Sequence, residues 1–385
     1  MINRRQLFKG SALILGAMYM HNTLAKESVA AGEEFVPSKT NPLLLNFNEN
    51  SLGMSPKAKE AVVNSLSMAF RYPDSQRADL IEAIAKSKDL TTKHVTIGNG
   101  SSEVIQSAVL AFVQKAKDAK KDVQLIVPDP TFNYAELYAS SIGLAVKKVT
   151  LKAKTYDLDL PRMKKAVDQF KGVSIVYICN PNNPTATITD SNEIDQWVKS
   201  ASADTYFIFD EAYAEFVTDK RFKSALAYVK EGNPNVIVTR TFSKIYAMAG
   251  LRMGYGIALP QTAAYVDSFA SIDNTNLAGA VAAKASLEDD LFFQKSLQSN
   301  TLSRKIVTDA LDELGLAYLP SQANFIFHQI KGDHDTYKKR MAEANVFVGR
   351  EFAPAVGFNR LTLGTPSEMK AFVKVLKDFR KKGWI

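Results

Sequence analysis

The sequence predicts an α/β protein: a three-layer sandwich with a mostly parallel central sheet, followed by a smaller α+β domain. Three observations carry this expectation. Short, nearly uninterrupted apolar runs recur at 123–127, 173–179, 206–209 and 236–239, as in strands buried on both faces of a parallel sheet. Ahead of them, 102–114 places Val104, Ile105, Ala108, Val109, Phe112 and Val113 on one helical face. Polar and turn-forming residues gather just past the carboxyl end of each run, where open α/β sheets bind ligands.

Taken in order, the chain opens with Asn3-Arg4-Arg5-Gln6-Leu7-Phe8-Lys9, which resembles the twin-arginine export signal. A moderately apolar stretch covers 11–20, and Thr23-Leu24-Ala25 or Val29-Ala30-Ala31 offers small residues for cleavage. Residues 1–31 are therefore read as a signal peptide. The expected mature protein is bacterial, exported to the periplasm, and begins near Lys26 or Gly32. The apolar stretch is too short and too weak to span a bilayer, so no stable membrane insertion is expected after cleavage. Residues 32–67 are expected to pack on the small domain. Residues 68–285 form the large ligand-binding domain and 286–385 the small one. In the small domain a helical stretch leads to Gly315, short strands lie around 324–327 and 360–363, and a last helix covers 367–381.

Composition narrows the function. The 385 residues are 46% apolar and 23% charged, enough for a large core. The net charge is +8, of which Arg4, Arg5 and Lys9 supply three. No basic run is interleaved with aromatics, so nucleic-acid binding is not expected. The single Cys179 excludes an intrachain disulfide. The four histidines are scattered, and no metal site is expected.

The strand ends carry the chemistry. Lys244 closes Arg240-Thr241-Phe242-Ser243-Lys244, and Arg252 follows with Gly254-Tyr255-Gly256 behind it. An amine there can condense with an aldehyde cofactor, while Ser243 and Arg252 hold a phosphate on it, the arginine through its charged fork. Asp210, directly after 206–209, can keep a pyridine nitrogen protonated, so that the ring draws electrons. It reads equally as an acidic helix cap. Tyr213 and Asn183 can reach a phenolic oxygen, although Asn180-Pro181-Asn182-Asn183-Pro184-Thr185 is also a plain turn. Gly98-Asn99-Gly100-Ser101-Ser102-Glu103 opens a helix whose backbone amides suit an anion, or is simply its cap. As a dinucleotide fingerprint it fails, because Glu103 stands at the third glycine. Phe132 offers an aromatic face.

Together these segments resemble the fold type I pyridoxal-phosphate enzymes, and within them histidinol-phosphate aminotransferases. The resemblance runs in order through Leu45-Asn46-Phe47-Asn48-Glu49-Asn50, Arg71-Tyr72-Pro73-Asp74, the glycine–serine turn, Asn182-Asn183-Pro184-Thr185 and Asp210-Glu211-Ala212-Tyr213. It continues through Lys244, Ala249-Gly250-Leu251-Arg252, Ala323-Asn324-Phe325 and Arg360-Leu361-Thr362-Leu363-Gly364-Thr365. It implies pyridoxal 5'-phosphate as cofactor, with Lys244 attaching it and shuttling a proton. Asp210 would lie at its ring nitrogen, Tyr213 and Asn183 at its phenolic oxygen, and Phe132 on its face. Gly100, Ser101, Ser102, Ser243 and Arg252 would hold the phosphate. Tyr72 would reach the phosphate of a neighbouring subunit, implying a homodimer. Arg360 would clamp a substrate carboxylate, with Arg350 available to a second anionic group and Asn324 at the substrate. The implied reaction is ping-pong transfer of an amino group from an amino acid or a histidinol-phosphate-like donor to a 2-oxo acid, 2-oxoglutarate being expected.

Two departures bear on the substrate. Ala186 stands where the family has glycine, so a positive φ there would be strained. Residues 33–48 contain no tyrosine, whereas histidinol-phosphate enzymes carry one upstream of the Asn-Glu-Asn segment. Together with export, this favours a bulky or aromatic amino acid over a histidine precursor. Three alternatives stay open: a threonine-phosphate-type decarboxylase with the same motifs, a non-catalytic exported amino-acid-binding protein, and a nicotinamide dehydrogenase. Lys244, Asp210 and Arg252 together argue against the second, and the failed fingerprint against the third.

Overall fold

Eleven strands occur in the computed structural model, which describes residues 34–385. They are β1 (Leu43–Leu45), β2 (Val95–Asn99), β3 (Val123–Asp129), β4 (Ala145–Thr150), β5 (Val173–Cys179), β6 (Thr205–Asp210), β7 (Val236–Thr241), β8 (Met253–Ala258), β9 (Phe325–Gln329), β10 (Val346–Val348) and β11 (Phe358–Thr362). The expected export signal, Arg4 and Arg5 included, lies outside the described residues.

Seven strands form one sheet in the order β2-β8-β7-β6-β5-β3-β4. The pairs from β4 through β7 are parallel, and β8 runs antiparallel to both its neighbours. Every residue of β5 and β7 is buried, which is why these runs are apolar without alternation. Alternate side chains enter different layers. Val176, Ile178, Phe207 and Phe209 pack with Leu80, Ile84, Met163 and Trp197. Ile175, Tyr177, Ile208 and Ile237 face Val104, Ile105, Ala108 and Phe112 of the helix Ser101–Asp118. Burying one such large apolar side chain contributes about 1.5–3 kcal/mol. The three-layer α/β architecture is thus present.

Three strands of the sheet go beyond the sequence expectation: β2, β4 and β8. The last contains Gly254 and Gly256. A Cβ on Gly254 would stand 2.1 Å from the Ser101 amide nitrogen, and one on Gly256 would stand 2.6 Å from Val104. The glycines let the helix press directly on the strand. β4 escaped notice because it is an edge strand carrying the solvent-facing pair Lys147 and Lys148, and charge is what protects such an edge. The helix expected at 102–114 extends to Asp118, its later lysines lying in the last turn. The helical stretch leading to Gly315 is the single helix Asp290–Glu313, set off from the preceding helix Leu277–Leu287. They are separated because the Asp289 side chain accepts from the Phe292 amide and starts the second.

Two small sheets complete the fold. β1 pairs in parallel with β10, and β9 pairs antiparallel with β11. The last helix, Pro366–Lys381, begins with a reciprocal cap between Thr365 and Glu368. Residues 46–50 lead directly out of β1 and bring it to the carboxyl ends of β6 and β7 through the hydrogen bonds described next.

Candidate active site

Asp210 is the last residue of β6, opposite Cys179 on β5 and Thr239 on β7. It is only 2% exposed. Its Oδ2 accepts from the Tyr177 hydroxyl at 2.7 Å, and its Oδ1 accepts from the Ala212 amide at 3.2 Å and the Thr239 hydroxyl at 3.4 Å. Burial raises its pKa above the ordinary carboxylate value, and the Tyr177 hydrogen bond is the largest opposing influence. It has no ion-pair partner among the described residues. A carboxylate kept this dry is costly unless a cationic group meets it.

Lys244 lies three residues past β7. Its Nζ donates to the Phe47 carbonyl at 3.2 Å and stands 5.9 Å from the Tyr213 ring centre. Burial, then the charge of Arg360, pull the amine down to about 8, with Arg252 adding to the effect. The amine is therefore readily made neutral and nucleophilic. The Tyr213 hydroxyl oxygen accepts from Asn48 Nδ2 at 3.1 Å and Asn183 Nδ2 at 3.4 Å. With its oxygen so occupied, the hydroxyl has its proton left to donate.

Gly100 precedes the helix Ser101–Asp118 with φ of 77°, a conformation glycine adopts freely. A Cβ there would stand 2.2 Å from the Arg252 guanidinium. Arg252 itself has φ of 51°. Its Nη2 donates to the Asn99 carbonyl at 3.2 Å and the Ser102 hydroxyl at 3.3 Å. Its Nη1 donates to the Ala249 carbonyl at 2.9 Å and reaches Ser243 Oγ at 3.5 Å. All these partners are neutral. A helix amino terminus, hydroxyls and an arginine without a counter-charge form a cradle for a phosphate. The orphan carboxylate, the depressed amine and this cradle all converge on one cleft, and they fit pyridoxal phosphate group by group.

Phe132 is partly buried beside Tyr134, with ring centres 4.2 Å apart. Tyr72 is 75% exposed. Arg360, on β11, donates to Asn183 Oδ1 at 2.8 Å and the Asn46 carbonyl at 2.7 Å. Its Nε is buried without a partner. Burial lowers Arg360 to about 10, Tyr213 opposes the fall and Arg350 adds to it. Arg350 is exposed, and its guanidinium lies 4.3 Å from the Phe352 ring that Arg360 also approaches at 5.0 Å. Asn324 is used differently from the expectation. Its amide donates to the carbonyls of Asn48 and Glu49 at 3.0 and 3.3 Å, so it braces the 46–50 segment. Ala186 does adopt φ of 59°, with its methyl group buried.

A family model, aminotransferase class I and II, matches residues 40–376. The chain belongs to the class I and II aminotransferases. It is a pyridoxal-phosphate-dependent transaminase of fold type I. A histidinol-phosphate aminotransferase of Brevibacillus brevis is 34% identical over 88% of this chain and 90% of its own. One from Moorella thermoacetica is 32% identical, covering 92% of each chain. Among solved structures, a protein of Erwinia carotovora atroseptica provisionally assigned as histidinol-phosphate aminotransferase superposes with a TM-score of 0.87. It is 40% identical, covering 92% of this chain and all of its own.

This aminotransferase contains site residues that sequence reasoning missed. Tyr177 reads as one more apolar residue of a buried strand. Its hydroxyl two positions from Cys179, on the same face of β5, was the available signal. Asn48 belongs to a recognised segment, yet only the structure shows its amide on Tyr213.

Proposed function

We propose that the aminotransferase takes an α-amino acid with a bulky or aromatic side chain as donor and a 2-oxo acid, 2-oxoglutarate in particular, as acceptor, in a ping-pong cycle. The observation that carries this reading is Arg360, a deeply seated guanidinium without a carboxylate partner among the described residues, set beside Phe325 and Phe352. Its planar fork matches a carboxylate, and the aromatic rings line the space for an apolar side chain.

When bound, the cofactor supplies an electron-accepting ring. Asp210 meets its ring nitrogen and keeps a proton there. Tyr213 donates to its phenolic oxygen, oriented by Asn48 and Asn183. Arg252, Ser102, Ser243 and the amides after Gly100 hold its phosphate. Lys244 would be the residue that attaches the cofactor, and its amine, when free, would be the base that moves the proton of the substrate carbon. Arg360 fixes the substrate carboxylate so that this proton faces Lys244. Tyr72 from a second copy of the chain completes the phosphate site in a homodimer.

The test is the visible spectrum of the holoenzyme against a donor panel. Aromatic and other bulky amino acids are expected to bleach the cofactor band, with keto acid released. Arg360→Ala is expected to lower kcat/KM for these donors about 10²-fold, the loss of a charge-assisted fork, and to leave an amine without a carboxylate nearly unaffected. Histidinol phosphate far outcompeting every free amino acid would overturn the reading. It is the second reading because both named relatives carry that activity and Arg350 stands ready for a phosphate.

Export is part of the same proposal and rests on Arg4 and Arg5. Replacing both by lysine is expected to retain a reporter fusion in the cytoplasm. A fusion exported equally well would remove the twin-arginine assignment.

A further inference from the structure

We propose that Tyr177 is a positioning residue for transamination: its hydroxyl holds Asp210 as a carboxylate aimed at the cofactor's ring nitrogen. The proposal rests on the pyridoxal-phosphate chemistry already assigned to this cleft. Tyr177 pairs with Ile208 across β5 and β6. The next residue of β6 on the same face is Asp210, the diagonal neighbour that a long aromatic side chain can reach. The Tyr177 ring is fully buried, packed in the layer of Val104, Ile105 and Phe112. Its hydroxyl therefore has a fixed direction. It donates to Asp210 Oδ2 at 2.7 Å, and no other group among the described residues bonds that oxygen, since Ala212 and Thr239 both act on Oδ1.

The surroundings make this bond consequential. From β5, Cys179 lies beside Asp210 and directs its thiol to the Pro181 carbonyl. From β7 comes only the neutral Thr239. The adjacent Glu211 is an added negative charge, turned away to Arg240, Ser224 and the Ala225 amide. Lys244 and Tyr213 line the cleft without bonding Asp210. Burial and the neighbouring carboxylate keep the Tyr177 hydroxyl protonated far above neutral pH, so it remains a donor throughout. Removing it would leave Oδ2 in an apolar layer without a donor. Asp210 would then take up a proton more easily. A protonated carboxyl and a protonated ring nitrogen carry one proton too many to pair.

The experiment is a double-mutant cycle on the full chain: wild type, Tyr177→Phe, Asp210→Asn and the double variant. The dissociation constant for pyridoxal phosphate is read from the bound cofactor's visible band between pH 6 and 9. Tyr177→Phe keeps the ring and the packing, and melting temperatures confirm the fold of each variant. The expected result is cofactor binding weakened about 10-fold by Tyr177→Phe, with the defect growing as pH falls. In the Asp210→Asn background the same substitution is expected to change nothing. Equal losses in both backgrounds, or a loss independent of pH, would show that the tyrosine only packs and would overturn the proposal. Wild-type protein that binds no pyridoxal phosphate would instead sink the cofactor assignment itself.

Discussion

Lys244→Ala is expected to abolish transamination, lowering turnover by at least about 10⁴-fold, the upper range for a positioned proton-transfer group, while leaving the fold intact. The amine has no ion-pair partner among the described residues, and its only hydrogen bond is to the Phe47 carbonyl. Little of the stability depends on it. Its depressed pKa in fact records an unfavourable place for a charge. The expected melting temperature is thus equal to or above that of the wild type. The same depression sets a second signature in the wild-type protein. Covalent capture of pyridoxal phosphate needs the neutral amine, so its rate should rise with pH through about 8 and then level off. The check is single-turnover bleaching of the cofactor band with a competent donor, beside a thermal melt. A folded Lys244→Ala protein that turns over within tenfold of wild type would assign proton transfer to another group.

The second large effect concerns acid stability and lies away from the site. His328, on β9, is fully buried. Its Nδ1 donates to the Gln329 carbonyl at 3.0 Å, which leaves Nε2 to accept from the Asn359 amide at 3.2 Å. Both bonds suit the neutral ring. Burial lowers its pKa from 6.5 to about 4, the Gln329 carbonyl opposes this, and nearby His334 adds to it. The folded value is depressed, so the unfolded chain binds the proton first as pH falls. The contribution is fully present above 6.5 and is lost progressively toward pH 4. The loss amounts to about 3 kcal/mol at its limit. Urea unfolding of wild type and His328→Gln at pH 7.5 and pH 4.5 isolates it, because carboxylates titrate alike in both. His328→Gln is expected to be the less stable at pH 7.5, with the gap narrowing by about 2–3 kcal/mol at pH 4.5. A gap that stays constant would mean that His328 is no acid-sensitive point.

Local patterns made much of this readable in advance. The runs ending at Cys179, Asp210 and Thr239 announced buried parallel strands because a strand covered on both faces has no polar side to show. Lys244, Asp210, Asn183 and Arg252 stood out because chemistry-bearing residues past strand ends have few other uses. The strand β8 was hidden, since its two glycines describe a neighbour's approach and not the strand itself. The bonds of Asn324 to the 46–50 segment were hidden for a related reason: an amide's partner cannot be read from its own position.

The sequence by itself determined the α/β class, the order of the strand-end motifs and the aminotransferase family. The class and the motifs follow from periodicity and residue type, which are local, and the family from the resemblance that the ordered motifs carry. Only the tertiary structure decided that Tyr177 reaches Asp210, that Asn48 aims Tyr213 and that His328 is sealed neutral between β9 and β11. Each joins groups from separate strands or distant segments, and its energy depends on register, burial and a hydrogen-bond direction. These quantities exist only once the chain has closed on itself.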